Sequence, residues 1–191
     1  MNLPNLLSAS RLFLTVPIVL LMYTPGAGAA WTAFGLFILA MLTDVFDGRL
    51  AKRDPSRSPL GNYLDPAADK LLLMSLFIFL ADKGVVPAWM VAVLVAREFV
   101  VNGVRAAGAV QGQVVGANWM GKTKTALQTV AISAALFAGA LAATAPGCRR
   151  AATFFLKLAW GTTLVVTVVA AVFALVFVYW NRGLFSRRVS A

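Results

Sequence analysis

The sequence predicts an all-α integral membrane protein with six transmembrane helices, organised as one domain over residues 1–191. Three observations predict it. Of the 191 residues, 60% are hydrophobic and 13% charged, whereas soluble globular domains hold about 45–50% apolar and about 25% charged residues. The apolar residues gather in stretches close to the ~20 residues that a helix needs to cross a bilayer. Stretches such as 164–178 are apolar on every side, which excludes the two-residue alternation of a transmembrane barrel. Helices then satisfy their own backbone hydrogen bonds inside lipid.

The same composition excludes several kinds of chemistry. A single cysteine, Cys148, rules out a disulfide scaffold. The chain has no histidine, so His general bases, Ser-His and Cys-His pairs and His metal ligands are all absent. Acid–base or metal chemistry falls to seven carboxylates: Asp44, Asp47, Asp54, Asp65, Asp69, Asp82 and Glu98. The net charge of +10 suits either nucleic acid or a membrane surface with phosphate-bearing substrates. The basic residues are divided among short loops with no basic domain, so no nucleic-acid partner is expected.

The first span covers 6–23. Arg11, the apolar run and Gly26-Ala27-Gly28-Ala29-Ala30 give it a loose likeness to a signal peptide. No positive charge precedes Arg11, however, and five further apolar stretches follow, so it is a span. The others are 30–47, 62–81, 86–105, 125–143 and 152–180, the last long enough to tilt or protrude. No stretch between them could hold a soluble domain.

Basic residues orient the bundle. With a cytoplasmic N-terminus, one side carries Arg49, Lys52, Arg53, Arg57, Arg105, Lys122, Lys124, Arg182, Arg187 and Arg188, against Lys83, Arg149, Arg150 and Lys157 on the other. Both termini are therefore expected to be cytoplasmic. The lack of an Arg-rich amphipathic N-terminal extension points to a prokaryotic cell membrane.

Chemistry concentrates where the second span ends and the third begins. Asp44 and Asp47 are three apart, Asp65 and Asp69 four apart, so each pair shares a helix face. A short connection predicts antiparallel neighbouring helices, which brings four carboxylates to the cytoplasmic ends of helices 2 and 3. Wet helix ends account for one or two acids, not for four of seven at helical spacing; ionisable groups in spans are functional by default. Such a cluster repels itself unless cations sit in it, and oxygen-only ligands favour Mg²⁺ or Mn²⁺. Two ions could clamp the oxygens of a phosphoryl displacement.

The pattern Asp44-x-x-Asp47-Gly48-x-x-Ala51, then Gly61-x-x-x-Asp65-x-x-x-Asp69, resembles the signature of the CDP-alcohol phosphotransferase family. The resemblance implies an enzyme that binds a CDP-linked donor, releases CMP and joins the remaining phosphate to an alcohol. It implies metal ligation by Asp44, Asp47 and Asp65, and Asp69 as general base with a contact to the second metal. Gly48 and Ala51 match small residues that pack against the cytidine nucleotide. Ser58 and Asn5 match polar positions near the donor. Lys52 stands where the family usually has Arg; a lysine lacks the bidentate fork that Arg offers a phosphate. The family often forms homodimers, so a homodimer is expected.

Cations further along the chain bear on the acceptor. Arg97 and Arg105 are eight residues apart, a little over two helical turns, and face broadly the same way. Gly121-Lys122-Thr123-Lys124-Thr125 opens the fifth span. Fixed cations and a helix N-terminus suit a phosphorylated acceptor. Two plainer readings stand beside this one: a buried Arg97–Glu98 ion pair between helices, and Lys122 and Lys124 as topological charges. The glycines at 108, 112 and 116 are loop or close packing, not a phosphate cradle.

The text Arg97-Glu98-x6-Arg105, Gly121-Lys122-x-Lys124-Thr125-x-x-Gln128 and the N-terminal Leu3-Pro4-Asn5-Leu6-Leu7-Ser8-x-x-Arg11 resembles the phosphatidylglycerophosphate synthase branch of that family. This implies CDP-diacylglycerol as donor, its chains remaining among membrane lipids, and sn-glycerol 3-phosphate as acceptor. Arg97, Arg105, Lys122 and Lys124 would hold the acceptor phosphate. The competing readings are another acceptor (inositol phosphate, serine or phosphatidylglycerol) and a non-catalytic transporter using the acids as an ion path.

Overall fold

A computed structural model describes the backbone of residues 3–50, 59–111 and 119–182, and the side chains within 10–43, 70–111 and 121–182 apart from Lys122 and Pro146. Among the described residues the fold is entirely helical: α1 Leu3–Tyr23, α2 Ala27–Leu50, α3 Pro59–Asp82, α4 Ala88–Val110, α5 Trp119–Thr144, a 3-10 turn Pro146–Cys148, and α6 Arg149–Trp180. Each expected span coincides with one helix, and most helices outrun their span. The reason is that hydropathy stops at the first charges, whereas a helix continues while its backbone bonds are met. The largest difference is α5, which begins at Trp119 and encloses the Gly121-Lys122-Thr123-Lys124 stretch. Its free N–H groups within the helix belong to residues 119–121, so Lys122 lies in the first turn and Lys124 beyond it. Gly108 is buried within α4, which makes it a packing residue, not a loop residue; positions 112 and 116 lie outside the described residues.

The described connections are tight. Gly26, at φ 118°, links α1 to α2. Gly84, at φ 68°, ends α3: its N–H donates to Ala81 O (3.0 Å) and that of Val85 to Leu80 O (2.9 Å). This bond pair is the Schellman arrangement, which needs a left-handed residue at the position Gly84 fills.

Helix α1 packs against both α2 and α3, α5 against α2, α3 and α6, and α4 against α3 and α6. Among the described residues, α1 and α5 thus each pack against both α2 and α3, and α3 also packs against α4; the side chains of 44–69, where α2 and α3 are expected to meet, lie outside the described residues. The core is Ile18, Phe37, Leu72, Leu76, Phe77, Leu94 and Ile132. The most extensive pairing is α5 with α6, and both helices bury small residues, among them Ala131, Ala135 and Ala138 on α5 and Ala159 and Ala170 on α6. Small residues let helix backbones approach where lipid offers no hydrophobic drive. Buried hydroxyls are satisfied within their own helix, as Thr163 to Ala159 O and Thr167 to Thr163 O, both 2.7 Å.

The outer face is apolar too. Phe13, Val16, Leu20, Phe99, Val165, Val172, Leu175 and Trp180 are exposed, and α6 is apolar on its buried and its exposed sides alike. A helix that is hydrophobic all round suits lipid. Two segments, Thr123–Thr144 and Arg149–Trp180, are long and apolar enough to cross a bilayer, and Ser10–Tyr23 and Ala27–Thr43 are shorter apolar helices, among the described residues.

Candidate active site

Side-chain contacts sort the two ends of the bundle. At one end, Lys83 lies over the Tyr23 ring (4.7 Å to its centroid), and Trp31 Nε1 donates to Thr144 Oγ1 at 2.9 Å. Trp31, Phe34, Phe137 and Phe155 form edge-on and tilted ring contacts beside them. This end holds the α1–α2, α3–α4 and α5–α6 connections, with Cys148, Arg149 and Arg150.

The chemistry gathers at the other end, around Glu98. Its Oε1 accepts from Arg97 Nη1 at 2.8 Å and from Lys124 Nζ. Its Oε2 lies 3.6 Å from Lys70 Nζ, which also donates to Asn102 Oδ1 at 2.8 Å. Glu98, Arg97 and Lys124 are all buried. The Arg97 guanidinium also stacks 5.3 Å above the Phe173 ring of α6, a cation–π contact worth more when desolvated. One carboxylate therefore meets cations from α3, α4 and α5. Arg105 is half-buried two turns beyond Arg97, and its Nε is buried with no acceptor; Arg97 Nε and Gln128 Nε2 share that condition. Among the described side chains of this cluster, donors outnumber acceptors.

The four expected aspartates belong to the same end by backbone position. Asp44 and Asp47 occupy the last turns of α2, and Asp65 and Asp69 the early turns of α3. Asp69 directly precedes Lys70, which reaches Glu98. Met41, three residues before Asp44, has its sulfur 3.6 Å from Thr129 Oγ1 of α5. The side chains of Asn5, Asp44, Asp47, Asp65, Asp69 and Lys122, and Gly48 in its helix, lie outside the described residues, as do Ala51, Lys52 and Ser58 altogether. Among the described residues no cluster of three metal-ligating side chains occurs.

Of the expected acceptor cations, the structure brings Arg97 and Lys124 together on Glu98. Lys70 joins them without having been singled out in the sequence. The available signal was charge balance: Glu98 is the only acid after Asp82, so the cations of α4 and α5 have no other anion in that half of the chain. Arg11, which closes the N-terminal motif Leu3-Pro4-Asn5-Leu6-Leu7-Ser8-x-x-Arg11 without an assigned role, is a further case. It is 1% exposed, in the helix that packs on both acid-bearing helices, and a buried guanidinium there is a functional candidate.

Comparison with known proteins adds two findings. The family model described as CDP-alcohol phosphatidyltransferase matches residues 1–180. Among relatives, CDP-diacylglycerol–glycerol-3-phosphate 3-phosphatidyltransferase of Bacillus subtilis is 38% identical over 152 residues, covering 71% of this chain and 76% of that protein. A probable phosphatidylglycerophosphate synthase of Mycobacterium tuberculosis is 39% identical over 135 residues, covering 69% of this chain and 64% of its own. The Rickettsia bellii protein with the same name as the Bacillus one is 38% identical over 132 residues, covering 69% and 73%.

Proposed function

The chain belongs to the CDP-alcohol phosphatidyltransferase family, and from that premise we propose that it transfers the phosphatidyl group of CDP-diacylglycerol to sn-glycerol 3-phosphate, giving phosphatidylglycerol phosphate and CMP. The observation that carries the choice of acceptor is the surplus of fixed cations around Glu98 among the described residues, toward the end of the bundle that also bears the four aspartates. An acceptor with a phosphate dianion uses such a surplus; an uncharged alcohol does not. The names of the relatives support the same pair of substrates.

In the proposed mechanism Asp69 accepts the proton of the acceptor's C1 hydroxyl. That oxygen attacks the lipid-side phosphorus of the donor, the bond from this phosphorus to the bridging oxygen breaks, and CMP leaves with the bridging oxygen. Asn5, Gly48, Ala51, Lys52 and Ser58 hold the cytidine diphosphate part. Arg97, Arg105, Lys122 and Lys124 hold the acceptor phosphate and orient its hydroxyl. Position and charge supply most of the catalysis in such a transfer. The donor set fits Mg²⁺ or Mn²⁺: four carboxylates at helical spacing, no histidine in the chain, and the one thiol at the opposite end. Two such ions, held by Asp44, Asp47, Asp65 and Asp69, would supply neutralisation of the diphosphate charge.

The protein then sits in the bacterial cell membrane with six crossings, both termini cytoplasmic, as a homodimer that crosslinking in native membranes would capture. The function is tested by CMP release from CDP-diacylglycerol with a panel of acceptors, with and without EDTA. Glycerol 3-phosphate should be the productive acceptor and EDTA should abolish turnover. Release with serine or inositol phosphate alone would move the protein to another branch, and no CMP with any acceptor would favour a transporter.

A further inference from the structure

We infer that Glu98 is the positioning residue of the acceptor subsite, the anion that assembles its cations and fixes them relative to the proposed base. This rests on the proposed function and deepens it. A carboxylate serving only to join two helices needs one partner. Glu98 has three, Arg97 on its own helix, Lys124 on α5 and Lys70 on α3. Among the described side chains three cations face this one anion, two of them in a buried setting where unpaired charge is costly. Without the carboxylate, Arg97 and Lys124 would repel one another and separate. With it, they are held together, and Arg97 Nε is buried without an acceptor.

The contact with Lys70 adds a second element of control. Lys70 follows Asp69 in α3, so the same carboxylate links the segment bearing the proposed base to the two helices bearing the proposed phosphate cations. Asn102, one turn after Glu98 on α4, holds Lys70 from a second point at 2.8 Å. Glu98 therefore needs no contact with substrate to set how the acceptor's phosphate lies relative to the group that deprotonates its hydroxyl.

The test compares wild type, Glu98→Gln and Glu98→Asp in detergent, each assayed by CMP release while glycerol 3-phosphate and CDP-diacylglycerol are varied separately. Glu98→Gln should raise the acceptor KM by about tenfold or more, with the donor KM within about twofold of wild type. Glu98→Asp keeps the charge but withdraws it by one methylene, and should give an intermediate acceptor KM. Equal effects of Glu98→Gln on both KM values, or an unchanged acceptor KM, would overturn the inference. If Glu98→Gln does not accumulate, Glu98→Asp decides alone: a wild-type acceptor KM in that variant overturns the positioning role. Wild-type enzyme that releases CMP only with an unphosphorylated acceptor would instead overturn the functional reading, so the two failures are distinguishable.

Discussion

Asp69 and the acceptor cations make separate predictions at the scale of single residues. Asp69→Asn keeps size and polarity but removes the proton acceptor. It should yield protein with the wild-type thermal midpoint and almost no turnover; near-normal CMP release would remove Asp69 from the base role. Arg105→Ala and Lys122→Ala should each cost on the order of 1.5–3 kcal/mol of acceptor binding, the range for a hydrogen bond to a charged group. That is roughly a 10- to 150-fold rise in the KM for glycerol 3-phosphate where KM tracks affinity, with little change for CDP-diacylglycerol. Loss of donor affinity with acceptor affinity intact would reverse the division of the site. Helical spacing is arithmetic, so the sequence alone pairs Asp44 with Asp47 and Asp65 with Asp69 on shared faces, and α2 and α3 are helical at those positions. The meeting of Lys70 with Glu98 was not legible, since two residues 28 positions apart on different helices carry no local signature. Arg97 shows the intermediate case. Its neighbour Glu98 suggested an ion pair, but its stacking on Phe173 of α6 depends on helix packing that no spacing rule supplies.

Helix ends carry the prediction at the scale of elements. Gly84 adopts φ 68° with open space where a Cβ would stand, whereas Gly35 lies in the interior of α2 with open space and an ordinary φ. Clashes therefore play no part at either position, and backbone preference alone separates them. Gly84→Ala should destabilise by about 1 kcal/mol, the cost of placing a side chain in the left-handed region. Gly35→Ala should be neutral or stabilising by up to about 1 kcal/mol, as for glycine replaced in a helix interior. Thermal midpoints in detergent would check both, and equal shifts would remove the special role of Gly84. The six helices themselves were legible because long apolar stretches leave few other folds in lipid. Their ends were less so: α5 starts six residues before its expected span, because Gly121-Lys122-Thr123-Lys124 is polar in hydropathy yet compatible with helical backbone. That α1 and α5 each pack against both α2 and α3 was not legible either, since sequence order does not say which non-consecutive helices meet.

At the scale of the whole molecule, charge and connection order make one claim together. The described turns put Lys83, Cys148, Arg149 and Arg150 at one end of the bundle and leave Lys70, Glu98, Arg105 and Lys124 toward the other. The excess of basic residues in loops favours the second end as cytoplasmic, where nucleotide-linked donors and phosphorylated acceptors are available. Arg149 and Arg150 oppose that bias, so orientation rests on the sum of charges and not on any one loop. Cys148 offers a direct test, being the single cysteine of the chain, partly exposed, in the turn between α5 and α6. In intact cells a membrane-impermeant maleimide should label Cys148. In a Cys148→Ser background, Ser186→Cys near the C-terminus should be labelled only after the membrane is opened. Each site controls for the other, because a reagent that leaked inward would label both. The opposite pattern, with position 186 labelled in intact cells and Cys148 protected, would place the aspartate end outside the cell, away from CDP-diacylglycerol's nucleotide pool. The proposed orientation would then be wrong even if the helices and the chemistry were right.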